Sequence, residues 1–408
     1  MDQLITALEG CTREVRITLS ATDLKPHYND AYAKAQKSIS LPGFRKGKVP
    51  LPTIKQRFGK QVEAEALETI ADTEFKRVAL AEKLAVVGNP ALTNIEESAD
   101  GSVVFTILCE VMPEFDLGDY RSLSVNRPVR PVSEEDVQEE IDRLCLRAAT
   151  FETAEESSDA MHVVTFTMDG KEERVFLDDD QVDMHLRNSL TNKKVGDTTQ
   201  YTAETQDEQS EPPTYEITIT DIQKVVPAEF TNSFVETITG GRFTTTEDLR
   251  NDIETQLHDY FQRTSRNAVE NQVVEQLVGM HSFDIPHSLV HSVMHQLFED
   301  FKKRNEGAPG IDQLTAHDLE DELKPSAERI VRWELIRNKI VDAEQLEVAD
   351  SDLGDAAEKY GIPEDQFRML MRQNRQVMDQ LLAEKAMTAL IDYAVVTDVD
   401  ADTQQPIV

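Results

Sequence analysis

Alternating and helical spacings of apolar residues divide the first 112 residues into strands and helices. Apolar and polar positions alternate at Glu14–Leu19 and at Val103–Val111, and Val86-Val87 begins a further extended stretch, which together predict three strands. Helical spacing at Asp23–Ser38 and Pro52–Lys83 predicts two helices, and the second carries an apolar stripe. The stripe consists of Ile54, Phe58, Val62, Leu67, Ile70 and Phe75. We therefore expect an α+β domain in which two helices pack on a sheet.

Alternation returns in residues 150–226, after a proline-punctuated stretch and a helix that Ser133 caps. The segments His162–Met168 and Thr214–Ile219 predict strands, and Asp169-Gly170 is a hairpin signal. Residues 179–190 predict one short helix. A small β-rich domain is expected here.

From Glu247 onward the spacing is helical almost to the end of the chain. Thr244 and Glu247 are placed as a capping box before a long amphipathic helix. Further helices are expected at roughly 313–345, 350–360, 363–373 and 375–395. The fold class is thus a multidomain α+β protein with an all-α C-terminal region of helical arms. Its predicted parts are residues 1–112, 113–149, 150–226 and 227–408.

The charge of the chain limits the partners it can bind. It has 42 Lys and Arg against 77 Asp and Glu, a formal net charge of −35. Such a field opposes nonspecific binding to DNA or to an anionic membrane. This acidity is typical of proteins from salt-adapted cells, and an ordinary acidic protein is the alternative.

Localisation follows from cysteine usage and hydropathy. The three cysteines are far apart and lack a C-x-x-C pair, which favours a reducing compartment and argues against zinc. No basic leader precedes an apolar run at the N-terminus, and the longest apolar stretch, Val103–Met112, is much shorter than the roughly 20 residues of a membrane-spanning helix. We expect a cytoplasmic protein.

One segment reverses the overall charge. Between Ala31 and Val62 the chain has eight basic residues and no acidic one. They are Lys34, Lys37, Arg45, Lys46, Lys48, Lys55, Arg57 and Lys60. This pattern predicts a local surface that faces an anionic partner.

The middle of this segment reads as an exposed loop. Gly43 and Gly47 permit a tight reversal, and Pro42 and Pro50 stiffen the two stems. The residues at the tip are Phe44, Arg45 and Lys46. Cations pair with phosphates or carboxylates, and an exposed aromatic residue adds apolar burial on docking. An ordinary solvated turn with a basic flank is the alternative.

The loop also carries a resemblance to a known family. Residues 43–50 resemble the Gly-Phe-Arg-x-Gly-x-x-Pro signature of the trigger factor family, ribosome-associated bacterial chaperones, and every fixed position is present. The resemblance extends along nearly the whole chain. It implies that residues 113–149 form a linker and part of the C-terminal body, and that residues 150–226 are a reduced FKBP-like domain. It also implies that the ribosome-binding residues are Gly43, Phe44, Arg45, Lys46, Gly47, Lys48 and Pro50.

The chain departs from the family where a prolyl isomerase pocket would lie. An FKBP-like site needs a dry aromatic pocket, and intact members carry an Ile-Pro-Gly-Phe-Glu stretch. The corresponding region here is Met184–Leu190, without an aromatic residue, proline or glycine. The nearby aromatics are more typical of a core than of a catalytic pocket; they are Phe166, Phe176, Tyr201 and Tyr215. We predict weak or absent isomerase activity and assign no catalytic residue.

Other candidate sites are weaker. His287, His291 and His295 share one helix face, but no carboxylate or cysteine completes a metal site, so a solvated face is favoured and no metal or cofactor is expected. Methionines are enriched near the C-terminus, which suits either a surface that accepts many apolar chains or ordinary core packing. They are Met280, Met294, Met369, Met371, Met378 and Met387.

The resemblance implies an ATP-independent chaperone that docks on the large ribosomal subunit, at exit-tunnel protein and rRNA, and holds unfolded nascent chains. Two alternatives remain: a protein that is mainly a prolyl isomerase, and an acidic holdase that never visits the ribosome. Whether free copies form a homodimer is left open.

Overall fold

The structure, a computed structural model, describes residues 2–42, 44–45, 47–154, 156–157, 161–179, 181–203, 213–308 and 310–407, with the side chains of 355, 371–373 and 375 excepted. The chain divides into two compact units. They are residues 1–126 with 269–397, and residues 127–268 with 398–408. Each unit combines separate stretches of chain, and the four-part division given above stays a prediction.

A four-stranded antiparallel sheet and two helices form the N-terminal part of the first unit. The elements are β1 (Asp2–Ala7), β2 (Thr12–Leu19), α1 (Ala21–Ser38), α2 (Leu51–Ala81), β3 (Val86–Glu97) and β4 (Val103–Val111). The strand order is β1-β2-β4-β3. Alternate residues of β4, from Val103 to Val111, are buried, as the sequence alternation predicted. This confirms the α+β domain, although β1 was not predicted.

The two helices begin in different ways. At the start of α1, Ser20 and Asp23 form a capping box, and the bonds from Ser20 lower the pKa of Asp23 to about 2. By contrast, α2 follows Pro50 and has no side-chain cap. A proline just before and just inside a helix fixes the entry of the chain without a side-chain bond.

The apolar stripe of α2 enters two separate clusters. Its second half packs on the sheet, where Leu67, Ile70 and Phe75 join residues of β2 and β4. Its first half packs on α1 and on the connecting loop. We call this second cluster the tip cluster; its buried members are Tyr32, Leu41, Val49, Ile54 and Val62.

The chain continues through β5 (Ser124–Val129) and α3 (Glu134–Arg147) into a second sheet. Ser133 and Asp136 form the capping box of α3, as predicted. The middle domain contains β6 (Thr150–Thr153), β7 (His162–Met168), β8 (Lys171–Phe176), α4 (Met184–Leu190), β9 (Thr198–Thr202) and β10 (Thr214–Val226). Its antiparallel order is β6-β10-β7-β8, with β9 paired to β10. Asp169 and Gly170 have φ values of 51° and 75°, which forms the predicted hairpin.

The rest of the chain is helical apart from one strand. The elements are α5 (Asn232–Ile238), α6 (Thr246–Met280), α7 (His287–Arg304), a 3-10 turn (Ile311–Gln313), α8 (Glu320–Ala343), α9 (Asp350–Lys359), α10 (Glu364–Gln373), α11 (Arg375–Tyr393) and β11 (Val395–Asp400). None of the helices within the described residues is long and apolar enough to cross a lipid bilayer.

Two predictions about this region were wrong in detail, and one strand was not predicted. The cap of α6 is Thr245 with Asp248, one residue beyond the predicted pair. Helix α8 begins at Glu320 instead of near residue 313, because the amide and hydroxyl of Thr315 bond to Asp318 in a turn of their own. The chain after α11 forms β11, which pairs with β5.

The segment between the N-terminal sheet and β5 is fixed on the helical part of the first unit. Phe115 stacks on Phe283 with ring centroids 4.0 Å apart. The Gly118 amide donates to His281 Nε2 at 2.9 Å. Glu344 accepts hydrogen bonds from the side chains of Tyr120, Arg121 and Tyr393. These contacts give an extended, proline-containing segment a defined path.

Candidate docking loop

The loop between α1 and α2 is held at both ends by buried apolar side chains. Leu41 and Val49 are 8% and 0% exposed and belong to the tip cluster. Within the loop, the Phe44 amide donates to the Leu41 carbonyl at 3.0 Å, and the Lys48 amide donates to the Arg45 carbonyl at 2.9 Å. Two tight turns therefore lie between the two anchors, and Phe44 and Arg45 between them do not join the buried cluster.

The glycine at the second turn is required by its backbone conformation. Gly47 has a φ of +81°, and a Cβ built there would meet no atom within 4 Å. Glycine is thus needed for its left-handed geometry and not for space. Gly43 and Lys46, which are also among the predicted docking residues, lie outside the described residues.

The residues predicted to make contact are exposed. The Phe44 side chain is 44% exposed, and Arg45, Lys48 and Pro50 are exposed as well. No salt bridge between the described residues involves Arg45 or Lys48. An exposed aromatic ring beside unpaired cations is chemically suited to a partner that presents both anionic and apolar groups.

The helices on either side of the loop extend its positive surface. Lys34 and Lys37 lie exposed on α1, and Lys55, Arg57 and Lys60 lie exposed on α2. Among the residues that the structure places, none of these five cations forms a salt bridge. Cations elsewhere commonly do: Arg127 pairs with Asp398 at 2.7 Å. These five side chains therefore keep their charges available for a partner.

Tyr32 is buried beneath this basic surface, in the tip cluster. Its hydroxyl donates to Glu63, the first acidic residue after the basic segment, at 2.6 Å. Burial and this bond to Glu63 raise the pKa of Tyr32 to about 12. The Lys55 ammonium lies 4.8 Å from the centre of the Tyr32 ring. Tyr32 thus donates a hydrogen bond to the Glu63 carboxylate and contacts Lys55 through the face of its ring.

Sequence reasoning missed the residues that support the loop from below. Gln36, on α1, donates through Nε2 to the Val49 carbonyl at 2.7 Å. The two anchors, Leu41 and Val49, were also not predicted, although both are apolar residues beside a proline in a polar segment. Only that local contrast in the sequence points to them.

In the middle domain, the aromatic residues take part in packing. Phe166 is fully buried in the domain core, and Tyr201 stacks on Tyr215 with ring centroids 6.2 Å apart. On α4, Leu190 is buried in the same core and Met184 is 66% exposed. The region that corresponds to the family's pocket stretch therefore presents aliphatic residues to the sheet.

The histidines of α7 and the C-terminal methionines differ in their exposure. His287, His291 and His295 are exposed along α7, and the described part of the chain contains no group of three His, Cys, Asp or Glu residues arranged to hold a metal ion. Of the C-terminal methionines, Met280 and Met369 are exposed, and Met294 is buried. Met378 and Met387 are partly buried against the helical clusters, and the Met371 side chain lies outside the description.

An α+β domain with a cationic, aromatic-tipped loop, a small β-sheet domain and a helical C-terminal region define a multidomain α+β protein. Comparison with known proteins identifies its family. The family model described as "Bacterial trigger factor protein (TF)" matches residues 1–144, and the model of its C-terminus matches residues 245–392. The chain belongs to the trigger factor family of chaperones.

Individual relatives agree along most of the chain. The trigger factor of Chlorobaculum tepidum is 30% identical over 416 aligned positions, which cover 97% of this chain and 94% of the relative. The trigger factor of Chlorobium limicola is 27% identical, over an alignment that covers 88% of this chain and 87% of the relative. A solved structure reported as "Promiscuous Substrate Recognition in Folding and Assembly Activities of the Trigger Factor Chaperone" aligns with a TM-score of 0.51, at 18% identity, over 96% of this chain and 100% of that one. This last likeness concerns the fold.

Proposed function

We propose that this chain docks on the large ribosomal subunit beside the exit tunnel and holds nascent polypeptides without ATP. The docking residues are Gly43, Phe44, Arg45, Lys46, Gly47, Lys48 and Pro50. The observation that carries the proposal is the exposure of Phe44 and Arg45 between two buried anchors, within a basic segment whose described cations form no salt bridge with another described residue. Because the chain as a whole has a net charge of −35, this segment is the part of it that can attract an anionic partner.

The electrostatics favour a local contact over a diffuse one. The acidic remainder of the chain repels RNA, so attraction to phosphate or to acidic protein is confined to the basic segment. Contacts between cations and phosphates weaken as salt rises, whereas the burial of Phe44 is much less sensitive to salt. Docking should therefore combine a charge contribution and an apolar contribution.

Holding of unfolded chains is supported by apolar side chains left exposed on the helices of the first unit. Tyr360, Met369 and Leu370 are 44%, 64% and 44% exposed, and Met280 is 50% exposed. Flexible thioethers adapt to many apolar partners. Because the proposed cycle uses no ATP to release a client, we expect modest affinity for each client segment and rapid dissociation. Residence in the cytoplasm, where ribosomes and nascent chains are found, is part of the proposal.

The decisive experiment is co-sedimentation with ribosomes. Replacing Phe44, Arg45 and Lys46 by alanine should abolish pelleting with ribosomes and leave the suppression of aggregation of an unfolded client intact. A matched control replaces Phe301, Lys303 and Arg304 on α7, which removes the same residue types from another exposed place. Retained pelleting of the loop variant would contradict docking and favour a ribosome-independent holdase.

Prolyl isomerisation is at most a weak activity in this proposal. The support is the packing of Phe166 in the core and of Tyr201 on Tyr215, together with the absence of aromatic residues from Met184–Leu190. A refolding assay limited by a proline isomerisation tests it. Strong acceleration by the intact chain would overturn this part and favour the isomerase alternative.

A further inference from the structure

The exit of the docking loop depends on one side chain from the preceding helix. Val49 is fully buried, and its carbonyl accepts the Gln36 Nε2 hydrogen bond of 2.7 Å. Gln36 lies on α1, 13 positions earlier in the chain. The bond therefore joins the helix before the loop to the end of the loop, next to the helix that follows it.

Backbone chemistry explains why a side chain is used here. Pro50 and Pro52 flank the start of α2 and have no N–H group to donate. The amides of Thr53 and Ile54, in the first turn of the helix, donate to the Pro50 carbonyl instead. A buried carbonyl that lacks a donor is costly, so the Gln36 amide satisfies a group that the neighbouring backbone leaves available.

We infer that Gln36 is a positioning residue for docking: by holding the Val49 carbonyl, it fixes the exit of the loop and so the place at which Phe44 and Arg45 meet their partner. The inference rests on the proposed function, because it concerns the same loop. The entry of the loop needs no such bond, since Leu41 packs in the tip cluster and its carbonyl accepts the Phe44 amide. The exit is held by Val49 packing and by Gln36.

Removal of the bond should lower the population of the docking-competent loop without removing any docking residue. The affinity of a binding site falls in proportion to the fraction of molecules in the competent state. We expect Gln36→Met, which keeps side-chain length and helix propensity, to weaken ribosome binding about three- to tenfold. Because the same bound complex forms, the slope of log affinity against log salt should stay unchanged.

The matched control is Gln61→Met. Gln61 is exposed on α2, and its Nε2 donates to Glu65 within the same helix, away from the loop. Both variants lose one side-chain hydrogen bond from a helix and gain one thioether. Hydrogen exchange by mass spectrometry then compares the peptide that spans residues 41–50, with the thermal midpoint as a check on general stability. Faster exchange in that peptide is expected in Gln36→Met and not in Gln61→Met.

The inference would be overturned if Gln36→Met binds ribosomes like the unaltered chain, or if its exchange in residues 41–50 does not change. A weaker affinity accompanied by an equal loss in Gln61→Met would also overturn it, as a general effect of stability. If the unaltered chain fails to pellet with ribosomes at any salt concentration, the proposed function fails. The exchange comparison would still decide whether Gln36 orders the loop.

Discussion

Glu110, near the end of β4, caps the first turn of α7 by accepting the Ser288 amide at 2.8 Å. The other oxygen of the same carboxylate accepts the His287 amide, also at 2.8 Å. A helix N-terminus leaves its first amides unpaired and carries a partial positive charge, so an anion is favoured there. A strand of the N-terminal sheet thereby supplies the cap of a helix that lies about 180 positions later in the chain.

Replacement of Glu110 by glutamine should destabilise the first unit. The introduced carboxamide would keep one acceptor for two amides, lose the charge, and place its own N–H₂ group against an amide donor. We expect a loss of about 1 kcal/mol in the free energy of unfolding, typical for a helix cap. Urea denaturation measures it, with Glu114→Gln, an exposed glutamate nearby, as the control. Equal midpoints for the two variants would contradict the capping role.

The same contact predicts a dependence on pH. Burial alone would raise the pKa of Glu110, but the bonds from Ser288 and His287 outweigh it and hold the pKa below the usual 4.5. A lowered pKa in the folded state means that the stabilisation is complete above pH 4.5 and is lost as pH falls through the folded value. The stability difference between the intact chain and Glu110→Gln should shrink on acidification below about pH 4. A constant difference down to about pH 2 would count against this linkage.

Gly88 on β3 should tolerate no side chain. Its φ is +67°, and a Cβ would lie 2.6 Å from the Cβ and Oγ of Ser288. Gly88→Ala therefore adds a steric clash, costing about 1 to 3 kcal/mol, to the backbone strain of about 1 to 2 kcal/mol. Gly307→Ala is the control, because Gly307 has a φ of +88° with open space around it. If thermal midpoints fall equally in the two variants, the close approach to Ser288 has no energetic weight.

Single substitutions at the loop tip should separate charge from apolar burial. Arg45→Ala should reduce the slope of log ribosome affinity against log salt by about one charge equivalent. Phe44→Ala should lower affinity at every salt concentration without changing the slope, because it removes apolar contact area alone. Titration of fluorescent chain into ribosomes at several salt concentrations gives both quantities. Identical slopes for the two variants would exclude a phosphate or carboxylate partner for Arg45.

The acidic surface predicts that salt stabilises the fold. With a net charge of −35, like charges repel one another in the compact state, and ions screen that repulsion. The thermal midpoint should rise steadily with added sodium chloride, by about 2 to 4 °C for each kcal/mol regained. A midpoint that does not respond to salt would show that the acidic residues are balanced locally.

The elements defined by local pattern could be predicted from the sequence. The stripe of α2, the Ser133 cap and the Asp169-Gly170 hairpin each depend on residues close in the chain, and all three were confirmed. The exposed loop tip also follows from its own glycines and prolines. Such features need no knowledge of the rest of the molecule.

Features that join distant residues could not be predicted in the same way. β11 pairs with β5 across about 270 positions of the chain. The alternation of apolar and polar residues in β11 is short and directly follows the helical pattern of α11, so it is not recognised as a separate strand. The donation from Gln36 to Val49 requires knowing that two helices run side by side. A helix cap such as Glu110 is recognisable in sequence when it lies beside its helix, and here it lies on a distant strand.

The division of the α2 stripe between two clusters has a consequence for behaviour on heating. Few side chains hold the tip cluster, whereas the larger cluster on the sheet unites strands and both helices. Regions with few buried contacts open at lower free energy than the body of a domain. The tip cluster should therefore open at a lower temperature than the cluster on the sheet, and heating would free chains docked as proposed from ribosomes while the sheet is still folded.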